Sequence, residues 1–430
     1  MKTSGKLEIH VPQSFTSERP AVRYSSVIHD TSIDEHPLAS RLPTATDVPS
    51  VHPGPLFFRS LGIRSDAPTT IYDYLRSDEP QLSLHIVVFK DATLVSLSWP
   101  HTMMDAMGRH ALVSAWCKVL DGHEEEVPSL LGAGEDALDR VVPGPLPDEK
   151  EEPYSLSEKR LSGFKILILF ARSILDFFRM PGMELQTIFL PAKVAQLLVQ
   201  ETRDGLADDD IPDKAAFVSE GDVLAAWATR IAASSLPSET TRSVVAVNAF
   251  DLRSRLKSDF ASAGVYVQNF ILYVFVIQPA RRIMEGPLAG VASVFRQAIA
   301  KQTTEAQVRA MARVFRDSYK ATRHGPLFGD TDSYIIWFSN WTKGKFFDVV
   351  DFSSAVIKDG GGDAPSIRST PAGKPTYYHC QTLKTYPSSC CIFNILGKDA
   401  QGNYWMTAHL PGAGWRRIDE EFKHKRWYYD

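Results

Sequence analysis

Ser98-Trp99-Pro100-His101-Thr102-Met103-Met104-Asp105-Ala106-Met107-Gly108 is the stretch that decides how the chain is read, because one periodicity gives way to another across it. Before it, Gln81 to Lys90 and Thr93 to Trp99 alternate β-branched and aromatic residues with polar ones. That is the period of half-buried strands, and Lys90-Asp91-Ala92 between them reads as a hairpin turn. After it, Met107, Ala111, Leu112, Ala115, Trp116, Val119 and Leu120 recur at helical spacing until Asp121-Gly122 stops the pattern. His101 to Asp105 therefore spans the handover from strand to helix, where a side chain in a tight turn can point into a cleft.

Of the twelve histidines, only His101 has an aspartate four residues later. The spacing alone carries no weight, since roughly 0.7 such hits arise by chance at ordinary aspartate frequency. Its setting gives it weight. A histidine side chain titrates near neutral pH, so a neutral imidazole can take a proton from an attacking hydroxyl or amine. Such help is worth roughly 10²- to 10⁴-fold, and a thioester acyl donor, being already activated, removes the need for a covalent enzyme intermediate. Asp105 can orient the ring or pair with an arginine and fix the turn, and the second role is favoured. The bland alternative has His101 ending a strand and Asp105 capping the helix.

The whole chain narrows the classes. At 430 residues it is read as two domains sharing an interface. A composition of 44% hydrophobic and 23% charged residues is that of an ordinary globular protein. With a net charge of −4 there is no basic stripe to expect against nucleic acid. The most apolar segment, Gly163 to Phe178, is interrupted by Lys165, Arg172 and Asp176, so no membrane span and no membrane partner are expected. Four cysteines, the absence of an apolar signal core at the start and the lack of a disulfide pattern fit a reducing cytoplasm.

Further along, His123 to Glu152 is acidic and rich in Pro and Gly, and reads as a linker. Helices are expected over Ser157 to Phe178, Ala192 to Glu201, Val223 to Ser234 (capped by Ser219-Glu220-Gly221-Asp222) and Leu288 to Thr322. Strands are expected at Leu185 to Leu190, Ser243 to Phe250, Tyr266 to Ile277, Ser333 to Trp341, Thr376 to His379, Cys390 to Leu396 and Tyr404 to His409. This alternation means a mixed α/β fold. Competing motifs are missing or incomplete. There is no Gly-x-Ser-x-Gly elbow and no phosphate loop, and His123-Glu124-Glu125-Glu126 lacks the second histidine of a zinc helix, so no metal site is expected. Ser254-Arg255-Leu256-Lys257 matches a Ser-x-x-Lys spacing without its companion motifs, and Gly360-Gly361-Gly362 reads as a hairpin loop.

Five patches in order resemble the BAHD superfamily of coenzyme A-dependent acyltransferases, in a fungal-like form. They are the His-x-x-x-Asp stretch above, Gly221 to Trp227, Asn248 to Leu256, Tyr266-Val267-Gln268-Asn269, and Ser339-Asn340-Trp341 followed by Phe347 to Phe352. The resemblance implies an α/β (α+β) fold of two chloramphenicol-acetyltransferase-like domains, each with a mixed β-sheet and flanking helices, with a tunnel between them. The implied boundaries are 1–135 for the domain carrying His-x-x-x-Asp, with 333–346 as a candidate addition to it, 136–182 for a crossover linker, and 183–430 for the second domain.

The implied roles are His101 as general base with Asp105 structural or orienting, and Ser339 and Trp341 as catalytic residues at the oxyanion. Gly108, Asn269 and Asn340 would line the substrate tunnel, and Asp351 and Arg253 would form a structural ion pair. No cofactor is bound; acyl-coenzyme A, expected to be acetyl-coenzyme A, is a co-substrate, and the acceptor is a small specialised metabolite taking the acyl group on oxygen or nitrogen. The enzyme is expected to be a monomer. Two departures from the family stand out. Asp351-Phe352-Ser353-Ser354-Ala355 replaces the family's Asp-Phe-Gly-Trp-Gly, and the histidine motif comes early enough that the family's first strand and helix are expected to be lacking. The competing readings are a condensation-type enzyme fed by a carrier-protein thioester, against which Pro100 stands in place of a first histidine, and a non-catalytic binding relative.

Overall fold

A run such as Val244-Val245-Ala246-Val247, apolar toward both sides, belongs in a sheet covered on both faces, and all four residues are buried in one. The computed structural model describes residues 2–3, 6–135, 138–142, 152–207, 215–260, 263–357, 370–383 and 390–423. The strands that build its two main sheets are β1 (Val22–Ile28), β2 (Ser50–Pro53), β3 (Leu82–Val88), β4 (Thr93–Ser98), β5 (Glu184–Leu190), β6 (Ser243–Asp251), β7 (Ile271–Pro279), β8 (Tyr334–Asn340), β9 (Cys391–Lys398) and β10 (Tyr404–Leu410). The long helices are α1 (Ala106–Leu120), α2 (Phe164–Arg179), α3 (Ala192–Asp204), α4 (Glu220–Ala233), α5 (Leu288–Gln302), α6 (Glu305–Thr322) and α7 (Gly412–Phe422).

Seven strands form one mixed sheet in the order β7-β6-β8-β9-β10-β5-β2, and three form a smaller sheet in the order β1-β3-β4. In the large sheet β6, β8 and β9 run parallel, whereas β7, β10, β5 and β2 each pair antiparallel with a neighbour. The face toward α3, α4, α5 and α7 holds the larger core, including Val244, Ala246, Ile336, Phe393 and Met406. The opposite face of β6 and β7 packs Val245, Val247 and Phe275 against Val308, Met311 and Phe328. α4 is buried along almost its whole length and begins with the expected capping box, in which Ser219 and Asp222 bond each other's backbone N–H groups. Asp222 is also held by Arg296 from α5, which gives this buried carboxylate its partner.

Several expectations are corrected. The helix forecast from Ser157 starts at Phe164, after Gly163 with φ +52°, and the residues before it form a 3₁₀ turn and a short strand, Arg160–Leu161. Leu288 to Thr322 is two helices, because Thr304 leaves helical geometry and its hydroxyl accepts the Gln307 N–H as a cap for α6. Thr376 to His379 is not a strand. Tyr334–Asn340 does not extend the small sheet, since its two edges are taken by β6 and β9 of the large one. In the small sheet β1 pairs parallel with β3. The triple glycine 360–362 and part of the 123–152 stretch lie outside the described residues.

The most informative departure is Tyr266 to Phe270. Its pattern suits a strand, yet β7 begins only at Ile271. The preceding backbone is already bonded elsewhere: Phe270 N–H donates to Asp105, while the carbonyls of Tyr266 and Gln268 accept from Arg253. This segment lies against the start of α1 so closely that a Cβ on Gly108 would collide with the Val267 carbonyl oxygen. Gly108→Ala is therefore expected to destabilise the protein by about 1–3 kcal/mol, the usual cost of overpacking, measured by urea unfolding.

Candidate active site

β4 runs into the turn that carries His101. The turn is closed by a hydrogen bond from Met103 N–H to the Pro100 carbonyl (2.9 Å), and the Trp99 indole donates to the Met104 carbonyl (3.2 Å). Asn269 donates from its side-chain amide to the His101 carbonyl (2.6 Å), tying the backbone to the segment that leads into β7. The His101 side chain is exposed and lines a continuous cavity of about 4880 Å³, and among the described residues none hydrogen-bonds its ring. Both ring nitrogens are thus available to a ligand.

Asp105 faces the other way and is 3% exposed. One carboxylate oxygen accepts from Met107 N–H (3.0 Å), Gly108 N–H (2.8 Å) and Arg253 (3.3 Å); the other accepts from Arg253 (3.0 Å) and Phe270 N–H (2.8 Å). With both oxygens engaged, Asp105 caps α1 and clamps the second half of the chain, and it does not orient the imidazole. Arg253 also donates to Asp251 (2.6 Å) and lies over the Phe270 ring at 4.9 Å.

The expected Arg253–Asp351 pair does not form. Asp351 pairs with Lys374 at 2.8 Å, and this ammonium, with the Ser353 hydrogen bonds, holds its carboxyl down at about 2. The physical reason is that Arg253 is already held by the buried Asp105, a stronger claim than an exposed carboxylate can make. Gly108 and Asn269 are also not tunnel residues. The first is packed under Val267 and the second holds the His101 carbonyl, and neither contributes to the cavity wall.

Ser339, Asn340 and Trp341 do line the cavity. The Trp341 indole donates to the Ser339 hydroxyl (2.8 Å), and Asn340 fixes the next turn by accepting from Thr342 N–H (2.9 Å). One residue went unnoticed in the sequence. Arg109, directly after Gly108, is buried at 8% exposure and lies over Phe346 (3.8 Å), Trp341 (4.9 Å) and Tyr378 (5.7 Å). It connects α1 to Trp341 and, through the indole, to Ser339. Its position on the first turn of a helix with a buried face was a legible signal; the three rings that receive it, far apart in sequence, were not. On the cavity wall His379 is enclosed by Phe58 and Tyr377, and burial lowers its pKa to about 4. His123, Glu125 and Glu126 converge on the surface, all exposed and away from the cavity.

Comparison with known proteins now bears on this geometry. The sequence profile described as the Transferase family matches residues 67–356. O-acetyltransferase PaAT-2 of Phomopsis amygdali is 40% identical over 98% of this chain and 86% of its own length. A protein named Transcriptional regulator calD, from Penicillium decumbens, is 33% identical over 98% of this chain and 84% of its own. Among solved structures, TRI101 of F. sporotrichioides, complexed with coenzyme A and T-2, superposes with a TM-score of 0.59 at 18% identity, covering 92% of this chain and 80% of that one. At that identity the likeness concerns the fold, and the fold is the expected mixed α/β pair of chloramphenicol-acetyltransferase-like domains.

Two outcomes follow from the site itself. Asp105→Ala strands a buried guanidinium and is expected to cost about 3–5 kcal/mol in denaturant unfolding, with Arg253→Ala similar and the double variant far from additive. A histidine whose folded pKa lies below its unfolded value contributes stability that is present above the unfolded pKa, near 6.5, and is lost as pH falls through the folded one. Stability should thus drop by up to about 3 kcal/mol between pH 6.5 and 4, and His379→Phe should flatten that part of the profile in a pH series of unfolding curves.

Proposed function

From the premise that the chain belongs to the Transferase family of BAHD-type acyltransferases, we propose that it moves an acetyl group from acetyl-coenzyme A to a hydroxyl or amine of a small specialised metabolite, with His101 as general base. The observation that carries the reading is the free imidazole on the wall of a cavity large enough for a thioester and an acceptor together. His101 takes the acceptor's proton as its oxygen or nitrogen attacks the thioester carbonyl carbon. The tetrahedral intermediate then collapses, the carbon–sulfur bond breaks, and the leaving thiolate receives the proton. Only proton transfer and charge stabilisation are required of the protein.

Ser339 is the proposed donor to the oxyanion. Its hydroxyl oxygen accepts from the Trp341 indole, which leaves its proton for the substrate side, and Arg109 beneath Trp341 supports that arrangement. In this reading Asp105, Arg253 and Asn269 are positioning residues that hold the turn. Pro100 stands where a condensation-type enzyme carries its first histidine, which favours a soluble thioester as the donor in this reading.

The test is acetyl transfer from acetyl-coenzyme A to a panel of alcohols and amines. His101→Ala should lower kcat/KM by roughly 10²- to 10⁴-fold with unchanged unfolding temperature. Ser339→Ala should lower it by about 10²-fold or more, mainly in kcat. If wild type and both variants are equally inert while coenzyme A still binds, the binding-protein reading, which the name of one relative favours, takes its place.

A further inference from the structure

A helix on the surface of a globular protein normally turns its apolar stripe to the core and its charges to water. α2 does the reverse. Toward the body it presents Leu169, Ser173 and Asp176, and Asp176 is pinned by a two-pronged bond to Arg242 (2.9 and 2.7 Å). Toward solvent it presents Phe164 (74% exposed), Leu167 (63%), Phe170 (53%), Ile174 (59%) and Phe178 (74%). At 100° per residue these positions, with Ala171, Leu175 and Phe177, cover about half of the helix circumference without interruption by a charge. A contiguous apolar face of this kind on a soluble protein marks an interaction site.

The charges that the helix does carry are ordered. Lys165, Arg172 and Arg179 recur every seven residues and form one basic stripe along an edge of the apolar face. Among the described residues none of the three has a carboxylate partner. An apolar face bordered by basic residues is the pattern of a helix that lies in the plane of a membrane surface, its rings among the acyl chains and its cations at anionic headgroups. A second copy of the chain fits less well, because an antiparallel pairing about a twofold axis would set the basic stripe against itself. The expectation of no membrane partner rested on the lack of a spanning segment, and no described helix is long and apolar enough to span. A helix that lies on the surface is a different physical case.

We propose that α2 docks the protein on a bilayer containing anionic phospholipid. The helix ends where the cavity begins: Phe177, Phe178, Met180 and Met183 belong to the cavity wall. Docking through α2 therefore brings one mouth of the cavity to the lipid surface, so that an apolar ligand can enter from the membrane. The docking claim does not depend on the acyl-transfer reading.

The full chain is mixed with vesicles of phosphatidylcholine alone or of phosphatidylcholine with phosphatidylserine, and sedimented. Wild type is expected to pellet with the phosphatidylserine vesicles and much less with the neutral ones. Leu167→Asp with Ile174→Asp should abolish pelleting while leaving the unfolding temperature unchanged, since both side chains already face water. Lys165→Ala with Arg172→Ala should weaken binding to the anionic vesicles by about 25-fold, about fivefold per charge, and leave binding to neutral vesicles unchanged. Wild type remaining in the supernatant with both vesicle types, or either double variant pelleting as wild type does, would overturn the proposal. A dimer in light scattering that Leu167→Asp with Ile174→Asp dissolves would also overturn it, by assigning the face to a second copy.

Discussion

One buried carboxylate holds this site together. Asp105 caps α1, receives the Phe270 backbone and pairs with Arg253, so a single side chain joins a helix of the first half of the sequence to a segment more than 140 residues away. Every bond that it accepts is a bond that water would otherwise supply. The clamp is therefore stable only when complete, and costly when one partner is removed. The position of His101 follows from it, because the turn ends in a fixed helix start and is tied at its carbonyl by Asn269, from the same clamped segment.

A second line of contact approaches the cavity from the helix. Arg109 lies one turn beyond Asp105 and places its guanidinium among Trp341, Phe346 and Tyr378, and Trp341 in turn holds Ser339. Among the described residues the buried cation meets aromatic faces in place of a counter-ion, a weaker but adaptable partnership. The histidine turn and the Ser339 strand end are thus positioned through the first turns of α1, although β4 and β8 belong to different sheets.

Much of this was legible in the sequence where chemistry and period agree. The change from period two to helical period around His101 located the turn, and the Ser219/Asp222 box located α4. The preference for Asp105 as partner of an arginine was sound, whereas the assignment of Arg253 to Asp351 was not. Asp351 opens the segment that resembles the family's Asp-Phe-Gly-Trp-Gly, but partners are set by which carboxylate is buried, and burial is a property of the assembled fold. The Tyr266 to Phe270 segment failed as a strand for the same reason: its side chains suit a sheet, but its backbone bonds are taken by Asp105 and Arg253. For α2 the sequence located a helix but not which of its faces meets the body, because period alone does not tell the two faces apart.

The central claim is that the imidazole of His101 carries the proton during acyl transfer, and chemical rescue of His101→Ala by added imidazole tests it most directly. The predicted result is a His101→Ala value of kcat/KM roughly 10²- to 10⁴-fold below wild type that recovers in part when free imidazole is supplied, with no such response in wild type. A His101→Ala enzyme that keeps the wild-type rate, or one that free imidazole leaves unchanged, would contradict it.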